Sequence, residues 1–134
     1  LASQAANLAF VSPNGTSGVP TFRALVSADM PPAIQSVTSA ATVTPTFAND
    51  QVNITAQAVG LTLANPTGTA VDGFGMVIRI KDNGTARTIA YGTNYRALGV
   101  TLPTTTVISK TLYLGMIYNA ADTKWDVVSV AEQA

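Results

Sequence analysis

Residues 75–91 read GMVIRIKDNGTARTIAY, and the reading of this stretch decides the fold class. Met76, Ile78 and Ile80 alternate with Val77, Arg79 and Lys81, the period-two pattern of a strand with one buried face. Asn83-Gly84 then offers residues that reach positive φ at little steric cost, so a tight hairpin joining GMVIRIK to TARTIAY is expected. Toward the C-terminus the same pattern recurs as TLYLGMIYN (111–119), a turn over Asn119-Ala120-Ala121-Asp122, and KWDVVSVA (124–131). Leu112, Leu114, Met116 and Tyr118 fall on one face of this second hairpin. Either Val128 and Val130 or Trp125 and Val127 oppose them, according to register.

Upstream, SVTSAATVTPT (36–46), QVNITAQ (51–57) and AVGLTLA (58–64) alternate in part, with Val52, Ile54 and Ala56 sharing one face. Thr and Val are abundant, whereas Glu and Lys are scarce, and β-branched side chains suit a pleated surface better than a helix. No repeat of 20–50 residues is visible, so a solenoid or propeller is not expected. The expected fold is all-β: an antiparallel, jelly-roll-like β-sandwich over residues 35–134, preceded by an extended arm over residues 1–34.

The arm is set apart by Pro13, Pro20, Pro31 and Pro32, with Gly15 and Gly18 between. Prolines fix φ and remove backbone donors, so only short strands and extended segments fit here. Phe10, Phe22, Leu25, Val26 and Met30 have too little local chain to bury them and form the candidate oligomer interface. The chain begins on Leu1 without a Met and is expected to be a piece of a longer protein.

Composition limits the chemistry. Cysteine and histidine are both absent, which removes the thiolate nucleophile, the commonest general base and the commonest metal ligands. Seven Lys+Arg balance seven Asp+Glu, so no long-range field steers nucleic acid or an anionic membrane to the chain. No apolar run approaches the ~18 residues of a bilayer-crossing helix, and no membrane insertion is expected. Charged residues make up 10% of the chain and apolar residues 47%, against a usual charged share of about 25%. A surface so poor in charge is either covered by Thr, Ser, Asn and Gln or sheltered against copies of itself.

Asp50, Asp72, Asp82 and Asp122 stand among turn residues, where an Asp bonds its own backbone, and no pair of carboxylates is marked for acid/base work. A Ser–Lys nucleophile through Lys81, Lys110 or Lys124 has no supporting pattern. Asn14, Asn53 and Asn83 each open an Asn-x-Thr triplet, read here as incidental to the high Thr content. The chain is therefore expected to lack catalytic, cofactor-binding and metal-binding residues. Tyr91, Asn94, Tyr95 and Arg96, in and beside the loop GTNYRA, are the candidate carbohydrate contact, since ring faces next to polar groups stack on sugars. On that basis Tyr95→Ala is expected to spare folding and reduce adsorption to a sugar-bearing surface. Trp125 with Tyr118 reads instead as a cross-strand core pair.

The stretch FVSPNGTSGVPTFRALVSADMPP (10–32) resembles a linker of bacteriophage tail-fibre and related virion proteins. The likeness lies in Gly18, Pro20, Thr21, Phe22, Arg23, Ala24, Leu25, Val26, Ala28, Asp29 and Pro31, with Met30 where an aliphatic residue is usual. The remainder, through VIRIKDNGTARTIAYGTNYRALGVTLPTTT to LYLGMIYNAADTKWDVVSV, is similar to the terminal domain of such proteins. The resemblance implies a homotrimeric, non-enzymatic fibre module on the virion exterior, joined to other virion proteins and presenting a bacterial surface glycan-binding end. A capsid fibre, decoration or adaptor protein without a host ligand is the alternative it leaves.

Overall fold

The structure, a computed structural model, describes residue 3 and residues 5–134. It divides into two compact units, Leu1–Pro32 and Ala33–Ala134. In the first, β1 (Ala9–Val11) and β2 (Thr21–Arg23) pair antiparallel with Phe10 opposite Phe22, followed by a single 3-10 turn at Ser27–Asp29. The two rings lie 5.2 Å apart. The loop between the strands folds so tightly that a Cβ on Gly18 would sit 2.9 Å from the Pro13 ring, which only glycine avoids.

The second unit holds nine strands: β3 (Ile34–Val37), β4 (Thr42–Val43), β5 (Gln51–Gln57), β6 (Leu61–Leu63), β7 (Gly75–Asp82), β8 (Ile89–Tyr91), β9 (Tyr95–Ala97), β10 (Thr111–Asn119) and β11 (Lys124–Glu132). They form a six-stranded sheet, β3-β5-β7-β10-β11-β9, and a three-stranded sheet, β4-β6-β8. From β3 to β8 consecutive strands alternate between the sheets, and β3, β5 and β7 run parallel, as do β4, β6 and β8. The chain thus winds three times around one core, each crossover between parallel neighbours being a strand of the opposite sheet. Backbone bonds continue at the corners, from Ala56 N–H to Thr38 C=O and from Asn83 N–H to Gln57 C=O.

This winding corrects the expectations of antiparallel pairing throughout and of a hairpin over residues 75–91. Between the named strands of this unit, pairing is antiparallel where β10 meets β7 and β11 and parallel elsewhere, with one isolated antiparallel bridge between Thr88 and Thr105. The chain also coils without a visible repeat, because its turns differ in length: Ile34 pairs with Gln51, and Gln51 with Val77. The hairpin expected over residues 75–91 is likewise not formed, since β7 and β8 lie in different sheets. Of the Asn83-Gly84 pair only Gly84 takes a positive φ, 92°. The Asp82 carboxylate accepts the N–H groups of Gly84 and Ser109, each at 2.9 Å, and the Thr106 hydroxyl at 2.8 Å, turning the chain out of its sheet.

The hairpin of β10 and β11 forms as read, with Leu112, Leu114, Met116 and Tyr118 all buried. A bulge beside Gly115/Met116 lets Trp125 and Val127 of one proposed set and Val130 of the other oppose them: Val130 faces Leu114, Val127 faces Met116 and Trp125 faces Tyr118, while Val128 is turned outward. Val43, Leu61, Leu63 and Ile89 of the smaller sheet join Val52, Ile54, Ile78, Ile80, Leu114 and Val127 of the larger in one buried cluster. Each such side chain contributes about 1.5–3 kcal/mol on leaving water. Phe47, Phe74, Tyr118 and Trp125 close one end with ring centroids 4.9–6.2 Å apart. Among the described residues no helix is long and apolar enough to cross a membrane.

In β5, Val52 and Ile54 point inward, but a register shift before Gln57 puts Gln57, not Ala56, on the buried side. Its amide nitrogen donates to the carbonyls of Ala40 (2.7 Å) and Val59 (2.9 Å), and its oxygen accepts the Ala40 N–H (3.2 Å). Gln57→Ala leaves those backbone groups unpaired inside the fold, and a loss of about 2–3 kcal/mol is expected. Urea unfolding monitored through Trp125 fluorescence measures it; a loss below ~0.5 kcal/mol would show that the corner does not need the amide.

Candidate functional site

The candidate loop is built by β6 and β11 as much as by its own residues. The Gly92 N–H donates to Leu63 C=O at 2.8 Å, and a Cβ on Gly92 would meet the Asn65 backbone nitrogen at 2.8 Å. Asn65 then staples the loop, its oxygen accepting the Asn94 N–H (2.9 Å) and its amide donating to the Thr93 hydroxyl (3.2 Å). The Asn94 carbonyl in turn accepts the Trp125 N–H at 2.7 Å.

Tyr91 and Tyr95 meet edge to face, 5.7 Å between centroids. The Tyr95 hydroxyl donates to Ala64 C=O (3.0 Å) and the Tyr91 hydroxyl to Pro103 C=O (2.8 Å). Burial pushes both phenols well above their ordinary pKa, with the neighbouring Tyr91 adding to the effect on Tyr95, so both remain protonated donors. Tyr95 is only 8% exposed and Tyr91 half-buried, so Tyr95 lacks the open ring face on which the sugar-stacking reading rested. The sequence grouped these residues correctly as neighbours, but their polar ends are spent on the backbone.

Arg96 lies beside Asp126 in the parallel pairing of β9 with β11. Its Nε donates to Asp126 Oδ1 at 2.7 Å, and one terminal nitrogen reaches Asp126 Oδ2 (3.1 Å) and Asp122 Oδ2 (2.8 Å). These hydrogen bonds, to Asp126 first and then Asp122, raise the Arg96 pKa, and the bond from Arg96 lowers that of Asp126. The triad borders an open groove of about 390 Å³ lined by Asp72, Leu98, Ile117, Asn119, Asp126 and Val128. Loop and groove offer polar and apolar contact, with no nucleophile beside a base.

Three further carboxylates are also engaged. Asp50 accepts the Ala33 N–H (2.8 Å), Asp72 the Ala120 N–H (2.9 Å), and Asp82 its three donors. Burial works to raise the Asp82 pKa, but the bonds from Ser109, Gly84 and Thr106, with nearby Arg87, outweigh it and hold the group lowered. Among the described residues no cluster of three or more His, Cys, Asp or Glu side chains could hold a metal ion.

A second surface lies on the outward face of the larger sheet. Asn53, Thr55, Arg79, Lys81 and Thr111 line a concavity of about 220 Å³, and the Arg79 guanidinium stands 5.4 Å from the centre of the Tyr113 ring. Alternation in 75–81 already turned Arg79 and Lys81 outward, but their neighbours arrive by pairing with β5 and β10.

In the first unit Arg23 is the organising residue. Its terminal nitrogens grip both Asp29 oxygens at 2.8 and 2.7 Å, its Nε and one terminal nitrogen bond Ser12 C=O, and the other bonds Ala24 C=O. Asp29 also accepts the Val26 N–H at 2.8 Å. Of the candidate interface residues, Phe22 is half-buried against Phe10, whereas Phe10, Leu25, Val26 and Met30 are exposed.

Comparison of the chain with protein-family models, with curated proteins and with solved structures finds no match.

Because Tyr95 is a core ring with a satisfied hydroxyl, Tyr95→Ala is expected to cost about 3–5 kcal/mol, contrary to a purely surface role, and Tyr95→Phe about 1 kcal/mol. Thermal unfolding of the two variants distinguishes these losses. The bond from Arg23, then that from Val26, hold the Asp29 pKa at about 2 against an ordinary 3.8. A depressed carboxylate stabilises above its unfolded pKa and loses that contribution as pH falls through the folded one. NMR contacts between Phe10 and Phe22 are therefore expected to persist at about pH 5 and to weaken as pH drops from 3.8 through about 2. Contacts unchanged below that range would dissociate the hairpin from the ion pair.

Proposed function

We propose that the chain is a structural, non-enzymatic module of a bacteriophage tail fibre, a homotrimer on the virion exterior. It adjoins other virion proteins and presents an end that binds bacterial surface glycan. The observation that carries this reading is the state of the first unit: the Arg23–Asp29 pair orders it, yet Phe10 is 62%, Met30 66% and Val19 82% exposed. Two three-residue strands do not stabilise themselves in water. Apolar side chains held in an ordered frame with no local core are sheltered by association, and identical chains associate with closed symmetry. The tail-fibre resemblance of residues 10–32 supplies the number three.

The second unit supports the same reading. Ile34, Val77, Ile117 and Val128 face outward on the larger sheet, and charge is too sparse to keep neighbouring copies apart. We read the two sheets around one core as a β-sandwich whose chain coils before closing on its last hairpin, in place of jelly-roll connections. Weak contacts to a repeating glycan gain strength from several copies of the same end.

The double substitution Phe10→Asp with Met30→Asp is expected to lower the particle mass from three chains to one while strand content stays as in the parent. Light scattering and circular dichroism on the same samples read both quantities. An unchanged mass would remove the first unit from any role in assembly.

A further inference from the structure

The neutrality of the whole chain conceals a local imbalance on the outward face of the larger sheet. Among the described residues, ion pairs are made by Arg23 and Arg96; Arg87, Lys110 and Lys124 make none and stand apart in loops or at a strand end, and Arg79 and Lys81 make none while sharing one strand. These two cations stand on one face of β7, two residues apart, and the strands beside them bring no carboxylate. The row through Arg79 reads Ser36, Asn53, Arg79, Tyr113, Ala131, and Lys81 is paired with Thr111. Glu132 belongs to the neighbouring row, opposite Leu112.

The same place shows unfinished hydrogen bonding. The Nε of Arg79 is buried without a partner, as is the side-chain nitrogen of Gln51 opposite Val77 on the same face; elsewhere Arg87 Nε is left likewise, whereas a buried donor usually gains about 1 kcal/mol or more from pairing. The Arg79 guanidinium is steadied over the Tyr113 ring at 5.4 Å, and that residue is 37% exposed. Asn53, Thr55 and Thr111 add an amide and two hydroxyls around a concavity of about 220 Å³. That is below the ~300–1,000 Å³ of drug-sized ligand pockets, and it suits a single polar ring of a longer chain.

We infer that this face binds an acidic sugar unit of a polysaccharide, its oxyanion held by Arg79 and Lys81, its hydroxyls by Asn53, Thr55 and Thr111, and its ring beside Tyr113. Paired cations without a carboxylate call for an anion, and a guanidinium edge fits a planar or tetrahedral oxyanion better than a point charge does. Neutral donors and acceptors around them match sugar hydroxyls. As the receptor chemistry of a fibre the inference rests on the function proposed above, whereas the site itself rests on these side chains.

Calorimetric titration of the full chain with an oligogalacturonate, its methyl ester and a glycerol-phosphate oligomer tests the site, separating a carboxylate from a phosphate source. At least one acidic oligomer is expected to bind, with affinity falling as salt is added. If it is the uronate, the methyl ester binds at least about tenfold more weakly. Arg79→Gln and Lys81→Gln each weaken the acidic oligomer by about tenfold, while Lys124→Gln, an equal charge change at the far turn, leaves it unaltered. Absence of binding by both acidic oligomers overturns the inference, as does an equal loss from Lys124→Gln. Should Arg79→Gln fail to fold, the exposed Lys81 supplies the deciding variant. Light scattering of the same samples separates the two levels: a trimer that binds neither oligomer removes the site and keeps the fibre, and a monomer that binds one does the reverse.

Discussion

The structure depends on two ladders of side chains that cross the larger sheet on its buried face. One runs Val37, Ile54, Ile80, Leu112, and the other Gln35, Val52, Ile78, Leu114, Val130. Parallel neighbours are not joined by a tight turn, so nothing local holds β3 to β5 or β5 to β7. Their register comes from stacking like on like against Val43, Leu61, Leu63 and Ile89 of the smaller sheet. A slip of one residue would turn every one of those side chains to water.

That winding creates corners, and the corners consume the polar residues. Gln57 satisfies the backbone of one and Asp82 with Thr106 fastens another, both buried. Arg96 joins β9 to β11 through Asp126, and Asp122 completes the triad. The scarce charges of this chain are thus largely occupied in closing the fold, which leaves little for acid/base chemistry. What remains exposed is largely apolar side chains and neutral polar groups, with Lys81, Lys110 and Glu132 among the few charges.

The first unit follows a different rule. Its order comes from one arginine that bonds two carbonyls and a carboxylate, so its backbone is defined without a core of its own. Polar stapling frees the apolar side chains Phe10, Leu25, Val26 and Met30 to point outward.

The last hairpin was legible because its two strands are adjacent in sequence and its alternation meets a short turn. The same local signals misled at residues 75–91, where Asn83-Gly84 looks like a hairpin turn but the Asp82 carboxylate and Thr106 carry the chain across to the opposite sheet. Alternation told which side chains of β5 and β7 face inward, except beyond the register shift where Gln57 replaces Ala56. It did not tell which strands meet, since coil turns of unequal length leave no period to read. The loop at 91–96 was visible as a cluster of aromatic and polar residues, yet its burial depended on Ala64, Asn65, Pro103 and Trp125, remote in sequence. By itself the sequence determined strand character, inward faces and sparse charge, because these are set by neighbours along the chain. Parallel pairing, the buried tyrosines and the cations left without partners were decided only by tertiary structure, because each depends on which distant segment the winding brings alongside.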